Sequence, residues 1–241
     1  MKKIFGSYKN IFKTLFSPII SLTRYIVNNS FEAIKIDPVT TVVRNRAIHS
    51  SADYIEKNIS KALLFEQKER LWDFALSKIT IDGLNIEFGV FSGYSINYFS
   101  KKISHKTFYG FDSFEGLRED WIGTSAPKGE FNLNGILPKV NSNVSLVKGW
   151  FDESLPDFLK VNTDNLSFIH FDADTYQSTV TLLNLIGDRI VKGTVIVFDE
   201  YLGHPNWQNN EYLAWKEFVE EKKMNYQYIG FSIQQTAIKI I

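Results

Sequence analysis

Short apolar runs closed by a carboxylate or a glycine alternate with helix-length amphipathic stretches through the C-terminal part of this chain. The first run, Leu84 to Ser95 (L-N-I-E-F-G-V-F-S-G-Y-S), passes from an apolar strand through Glu87, Gly89 and Gly93 into the helical pattern Tyr94–Lys102. Thr107–Phe111 then ends at Asp112, Val144–Val147 at Gly149, Leu166–Phe171 at Asp172 and Thr194–Phe198 at Asp199. Helical patterns fall at Ser154–Leu159, Tyr176–Ile190 and Glu211–Lys223. Strands alternating with helices predict an α/β fold, a doubly wound and mostly parallel sheet covered on both faces. Tyr226–Phe231 and Thr236–Ile240, joined by a short polar link, predict an antiparallel C-terminal hairpin.

Ahead of this region the period changes. Ile4, Tyr8, Ile11, Leu15, Ile19, Leu22 and Ile26 recur every three or four residues, which predicts an amphipathic helical region bent near Pro18. A membrane-surface or partner-binding helix is one reading; packing on its own domain or on a second subunit is the preferred one, so a homo-oligomer built through the N-terminal helices is an expectation. Asp37-Pro38 reads as a break and Val39–His49 as a connecting segment. Ser51–Ile79 reads as one or two helices, with Leu64, Leu71, Trp72, Ala75 and Ile79 on the apolar face of the second. The link from Ser113 to Asn143, rich in Gly, Pro and Asn, is long for a compact domain, and such loops are usually functional.

Composition narrows the function classes. Lys+Arg and Asp+Glu balance at 27 each, which gives no electrostatic case for nucleic acid and favours a small-molecule or glycan acceptor. The absence of cysteine excludes thiolate metal sites and cysteine nucleophiles, so any metal binds through carboxylates, histidines or carbonyls. Lys9 and Lys13 interrupt the early apolar stretch, and the uncharged run Thr14–Thr23 is short of the ~20 residues that a membrane span needs. No transmembrane segment and a cytoplasmic location are therefore expected.

The strand ends carry the candidate chemistry. In an open parallel sheet, ligands bind beyond the carboxyl ends of the strands, where Glu87, Asp112, Asp172 and Asp199 fall. Glycines after the first strand let the backbone approach a ligand, and the new helix offers unpaired N–H groups. Asp112 is placed to accept both hydroxyls of a ribose. Asp172 and the pair Asp199-Glu200 converge from strands expected to be close together, and carboxylates that converge repel unless protonated or bridged by a cation such as Mg²⁺.

The segments I-E-F-G-V-F-S-G-Y-S, G-F-D-S-F-E-G-L, V-K-G-W-F-D-E-S-L-P, H-F-D-A-D-T-Y-Q-S-T and V-F-D-E-Y resemble, in order and spacing, the class I S-adenosylmethionine-dependent methyltransferases of the macrocin O-methyltransferase family. The resemblance runs from about Ala62 to the C-terminus and implies a Rossmann-like domain over residues 81–241, with 1–80 as a helical extension. It puts the methionine part of S-adenosylmethionine against Glu87, Gly89 and Gly93, the ribose on Asp112, and the adenine near Ser113, Gly149 and Trp150. It gives a divalent metal, usually Mg²⁺, to Asp172, Asp199 and Glu200, with Asp172 also the general base. Family members often carry a second aspartate where this chain has Glu200, which leaves that ligand the least secure of the three. The implied reaction is O-methylation of a sugar or glycosylated small molecule in a natural-product or surface-polysaccharide pathway.

Phe91, Tyr94 and Trp150 could meet the sulfonium through their ring faces. The Glu115–Asn143 link with Trp121 is the expected lid, and His204 and Trp207 are candidates for the acceptor pocket. His105 and His170 are read as structural. Two rival readings stay open: a nucleotide-sugar glycosyltransferase using Asp172-Ala173-Asp174 as a D-x-D motif, and a catalytically silent binding protein of the same fold.

Overall fold

The structure is a computed structural model that describes residues 37–241 together with Ser21 and Thr23. The amphipathic region expected over Ile4–Ile26 lies outside the described residues except for those two, both helical. Two compact units divide the chain, Met1–Val43 and Arg44–Ile241.

Asp37-Pro38 begins a helix where a break is expected. The helix α1 (Pro38–Tyr54) replaces the connecting segment anticipated at Val39–His49. Asp37 Oδ1 accepts the Val39 N–H at 3.0 Å, and proline at the first helical position gives up only an N–H that has no partner in the helix. A single π-turn follows at Ile55–Ile59. The segment expected to be helical then opens into a two-residue strand β1 (Leu63–Leu64) before α2 (Lys68–Ser77). Leu64 is therefore an exposed strand residue rather than part of a helical face.

The remaining elements follow the alternation closely. They are β2 (Leu84–Phe88), α3 (Tyr94–Lys102), β3 (Phe108–Asp112), β4 (Val144–Lys148), α4 (Phe151–Val161), β5 (Leu166–Phe171), α5 (Tyr176–Ile186), β6 (Ile190–Phe198), α6 (Glu211–Glu221), β7 (Tyr226–Ser232) and β8 (Gln235–Ile240). One eight-stranded sheet runs in the order β1-β7-β8-β6-β5-β2-β3-β4. The strands β6, β5, β2, β3 and β4 are parallel, while β8 is antiparallel to both β6 and β7. Among the described residues, no helix is long and apolar enough to cross a membrane.

Period-two alternation sends successive side chains to opposite faces of the sheet. Ile86, Phe88, Phe171 and Phe198 pack under α4, α5 and α6 through Leu155, Leu182 and Trp215. On the other face Phe108, Phe168 and Val197 pack against Trp72 of α2 and Phe99 of α3. The chain runs outward from β2 to β4 and then crosses back to β5, so strand order reverses between β2 and β5. That reversal is the place where an α/β sheet opens a ligand crevice at its carboxyl edge.

Candidate active site

The crevice begins where β2 and β5 touch. At Gly89 (φ 87°) a Cβ would lie 1.7 Å from the Asp172 carbonyl oxygen, so only glycine allows the two strand ends to close together. Gly93 (φ 82°) is the left-handed residue from which α3 starts. Between them Asp112 pins the turn. Its Oδ2 accepts the Val90 and Phe91 N–H groups at 2.9 and 2.8 Å, and its Oδ1 accepts the Phe114 N–H at 2.6 Å. A carboxylate has about four acceptor positions, so Asp112 has little capacity beyond the loop that it already holds.

Beside it, Ser113 Oγ accepts the Glu115 N–H at 3.1 Å, and Gly149 donates its N–H to the Asp112 carbonyl at 3.0 Å. Trp150 is capped by the Arg118 guanidinium, 4.7 Å from its ring centroid. Arg118 is itself held by Asp152 and Glu153 at 2.9 and 3.2 Å, which ties the long Ser113–Asn143 link to the start of α4.

Across the crevice, acids crowd together. One oxygen each from Asp172, Asp174 and Glu200 lie within 4.8 Å of one another, and ligand atoms of His170, Asp172 and Asp199 form a second such group. Burial and the neighbouring Asp199 charge push the Asp172 carboxyl well above the usual carboxylate range. Burial and the charges of Asp199 and Asp112 raise Asp174 to about 8. Burial, then Asp199 and Asp172, push Glu200 up as well.

Glu211, at the start of α6, is a fifth buried acid, raised to about 8 by burial first. It accepts the N–H groups of Ala173 and Glu200, each at 3.3 Å, and so draws the β5 and β6 ends together. Glu200 Oε2 is buried without a hydrogen-bond partner. The all-oxygen group of Asp172, Asp174 and Glu200, its mutual repulsion and the unsatisfied Glu200 oxygen suit a hard divalent cation.

Glu87 and His170 lie behind this cluster, both fully buried. Nδ1 of His170 sits 3.0 Å from Glu87 Oε2, and its Nε2 is 3.4 Å from Asp199 Oδ1. Burial alone would lower the imidazole, but the Asp199 carboxylate facing Nε2 and the Glu87 carboxylate hydrogen-bonded at Nδ1 outweigh it and hold His170 at about 10. Asp199 shows the reverse balance: burial pushes its carboxyl up, and the His170 imidazolium more than offsets that, leaving it low.

A cavity of about 510 Å³ joins the two halves, within the size range of small-molecule sites. Of the expected cofactor residues, Gly89, Asp112, Ser113, Gly149 and Trp150 line it, as do all three expected metal ligands, Asp172, Asp199 and Glu200. Glu87 and Gly93 do not. Leu117, Trp121 and Phe131 of the expected lid line it too, with Phe91, whereas Tyr94 instead donates its hydroxyl to Glu69 at 2.8 Å.

His204 and Trp207, the expected acceptor-pocket residues, are buried away from the cavity. His204 Nε2 lies 3.0 Å from the Glu200 carbonyl and Trp207 donates to Ser50 Oγ at 3.0 Å, so both serve to pack the loop after β6. Three residues of this cluster are absent from the sequence reading of the site: Asp174 as a member of the acid cluster, Glu211, and His170, which the sequence reads as structural. For His170 the signal was present, because it stands two residues before Asp172 and so on the same face of its strand.

Comparison with known proteins agrees with this geometry. Residues 86–201, which include every expected cofactor and metal residue, match a family described as "Methyltransferase domain". A Streptomyces olivaceus protein named 8-demethyl-8-(2,3-dimethoxy-alpha-L-rhamnosyl)-tetracenomycin-C 4'-O-methyltransferase is 31% identical over 107 residues. That match covers 37% of this chain and spans 40% of the relative. The structure of CalS11, a calicheamicin methyltransferase, superposes with TM-score 0.56 at 20% identity, covering 86% of this chain and 94% of that one. The O-methyltransferase NovP superposes with TM-score 0.52 at 18% identity, covering 71% and 79%. The domain match runs from the glycine turn through the acid-closed strands, so residues 86–201 of this chain are similar to a methyltransferase domain, set in a sheet that shares the fold of CalS11 and NovP.

Proposed function

We propose that the protein methylates a hydroxyl of a sugar or glycosylated small molecule, with a divalent cation held by Asp172, Asp199 and Glu200. The observation that carries this reading is the convergence, on one cavity, of the glycine turn and a cluster of buried oxygen donors. S-adenosylmethionine supplies the methyl group on a sulfonium, already a good leaving group. A cation bound by the acids would lower the pKa of an acceptor hydroxyl. The chain's own residues then need to align the acceptor oxygen, exclude water and take its proton.

Asp172 belongs to both candidate donor groups, so its oxygens are committed to the cation. We therefore assign the base role, expected from the resemblance to fall on Asp172, to Asp174. It lines the cavity and stands outside the proposed ligand set of Asp172, Asp199 and Glu200. The lid residues Leu117, Trp121 and Phe131 give the cavity an apolar wall on the acceptor side. The name of the Streptomyces olivaceus relative, a methyltransferase acting on a rhamnosyl group, supports a sugar hydroxyl as the acceptor.

Incubation with labelled S-adenosylmethionine and a panel of free, nucleotide-linked and aglycone-linked deoxyhexoses tests the reaction. Label transfer to a sugar oxygen, lost with chelator and restored by Mg²⁺, is expected. Turnover indifferent to chelation would remove the cation from the proposal. Tight binding of uridine-diphosphate sugars with no binding of S-adenosylhomocysteine would sink the methyltransferase reading. Asp174→Asn is expected to lower turnover by roughly 10²–10⁴-fold while leaving S-adenosylhomocysteine affinity and cation affinity within a few-fold. An active Asp174→Asn variant would return the base role to another group.

A further inference from the structure

The buried side chains behind the cavity form a continuous chain of contacts centred on His170. Register pairs Glu87 of β2 with His170 of β5, so the carboxylate and the imidazole stand side by side on one face of the sheet. Trp72 and Phe99 pack edge-on to the imidazole, with ring centroids 5.9 and 5.0 Å away. Each carboxylate also has a second partner. Glu87 Oε1 accepts the hydroxyl of Ser95, in the first turn of α3, at 3.1 Å. Asp199 Oδ1 accepts from the Gln235 side chain, whose own oxygen takes the Trp72 indole N–H at 2.7 Å. The chain therefore runs from the helix that follows the glycine turn to a carboxylate on the cavity wall.

We infer that His170 is a positioning residue: gripped by Glu87 at Nδ1, it fixes the Asp199 carboxylate through Nε2 in the orientation that holds the cation. A carboxylate at a strand end can rotate about its side-chain bonds, and outer contacts of this kind set ligand orientation in metal sites. On this reading Glu87 contributes to the site through the imidazole and not by touching the cofactor, which accounts for its full burial away from the cavity. The inference rests on the proposed cation at the acid cluster.

Mn²⁺ titration followed by electron paramagnetic resonance, paired with calorimetric titration of S-adenosylhomocysteine, separates the two claims. An asparagine at 170 keeps an amide near the Nδ1 position and loses reach to Asp199, whereas a glutamine extends an amide toward Asp199. His170→Asn is expected to weaken Mn²⁺ binding by roughly 10–100-fold with S-adenosylhomocysteine affinity changed less than about threefold, and His170→Gln to recover much of the loss. Glu87→Gln, which keeps the side-chain shape, is expected to weaken Mn²⁺ binding in the same direction by a smaller factor and stands in if His170→Asn does not fold. Wild-type affinity for Mn²⁺ in a folded His170→Asn or Glu87→Gln protein would overturn the positioning role and leave the cation reading intact. Equal loss of Mn²⁺ and cofactor binding in all three variants would overturn it in favour of a purely structural role. A wild-type protein that binds no Mn²⁺ or Mg²⁺ would overturn both.

Discussion

Asp172→Asn is expected to abolish turnover, by on the order of a thousandfold or more, while S-adenosylhomocysteine still binds with nearly wild-type affinity. Asp172 is the one acid shared by both candidate donor groups, so its loss dismantles either arrangement. Activation of a hydroxyl by a cation contributes several kcal/mol, and each ~1.4 kcal/mol is a factor of ten in rate. The fold should not suffer. In the wild type without cation, Asp172 is half-buried and its charged form is disfavoured by burial and by Asp199, so a neutral asparagine of the same shape adds no repulsion. With chelator present, the variant is therefore expected to melt no lower than the wild type. Added Mg²⁺ should raise the wild-type melting temperature, because it binds the folded state, and leave the variant unmoved. A variant that retains turnover, or whose melting follows Mg²⁺ as the wild type does, would refute the assignment.

Gly89→Ala is expected to have the largest effect on stability. Its Cβ would sit 1.7 Å from the Asp172 carbonyl oxygen and 2.8 Å from the carbonyl carbon, both backbone atoms that cannot rotate aside. The strands β2 and β5 would have to part where the crevice starts. Adding the penalty of a left-handed backbone, about 1–2 kcal/mol, the total cost is expected to exceed about 3 kcal/mol in denaturant titrations, with cofactor binding lost in whatever protein folds. Gly129 is the control. It shares the left-handed backbone (φ 85°), but a Cβ there has nothing within 4 Å, so Gly129→Ala isolates the backbone penalty. Equal destabilisation by the two substitutions would show that the close approach at Gly89 carries no weight.

The parallel part of the sheet was legible because each of its strands is a compact apolar run with an abrupt polar end. Leu166–Phe171 was legible to the residue, and the hairpin of β7 and β8 to within two residues. Misreadings cluster where burial is slight. In α1 only Ala47 and Ser51 are buried, so its apolar residues mark no face, and Asp37-Pro38 signals a helix start as readily as a break. The strand β1 has two exposed leucines and exists through pairing with β7, a contact with no local signature.

The site divides similarly. The acids Asp112, Asp172 and Asp199 declare themselves by closing strands. Asp174 and Glu211 join the cluster through a loop with a left-handed residue and through the packing of α6, which no spacing rule encodes. The interior position of His170 was visible, but its contacts on either side depend on strand order.

Strand order also fixes when the site can come into being during synthesis. The family-matched segment ends at residue 201, yet β6 is flanked on one side by β8, and Gln235 of that strand supplies a hydrogen bond to Asp199. A nascent chain with residues 86–201 already outside the ribosome still presents β6 as an open edge and Asp199 without that donor. Pairings of high sequence separation form late and leave apolar strands transiently exposed. A ribosome-stalled chain ending before Gln235 is thus expected to be protease-sensitive and unable to retain S-adenosylhomocysteine, and the catalytic apparatus matures only when β8 slots between two strands already made.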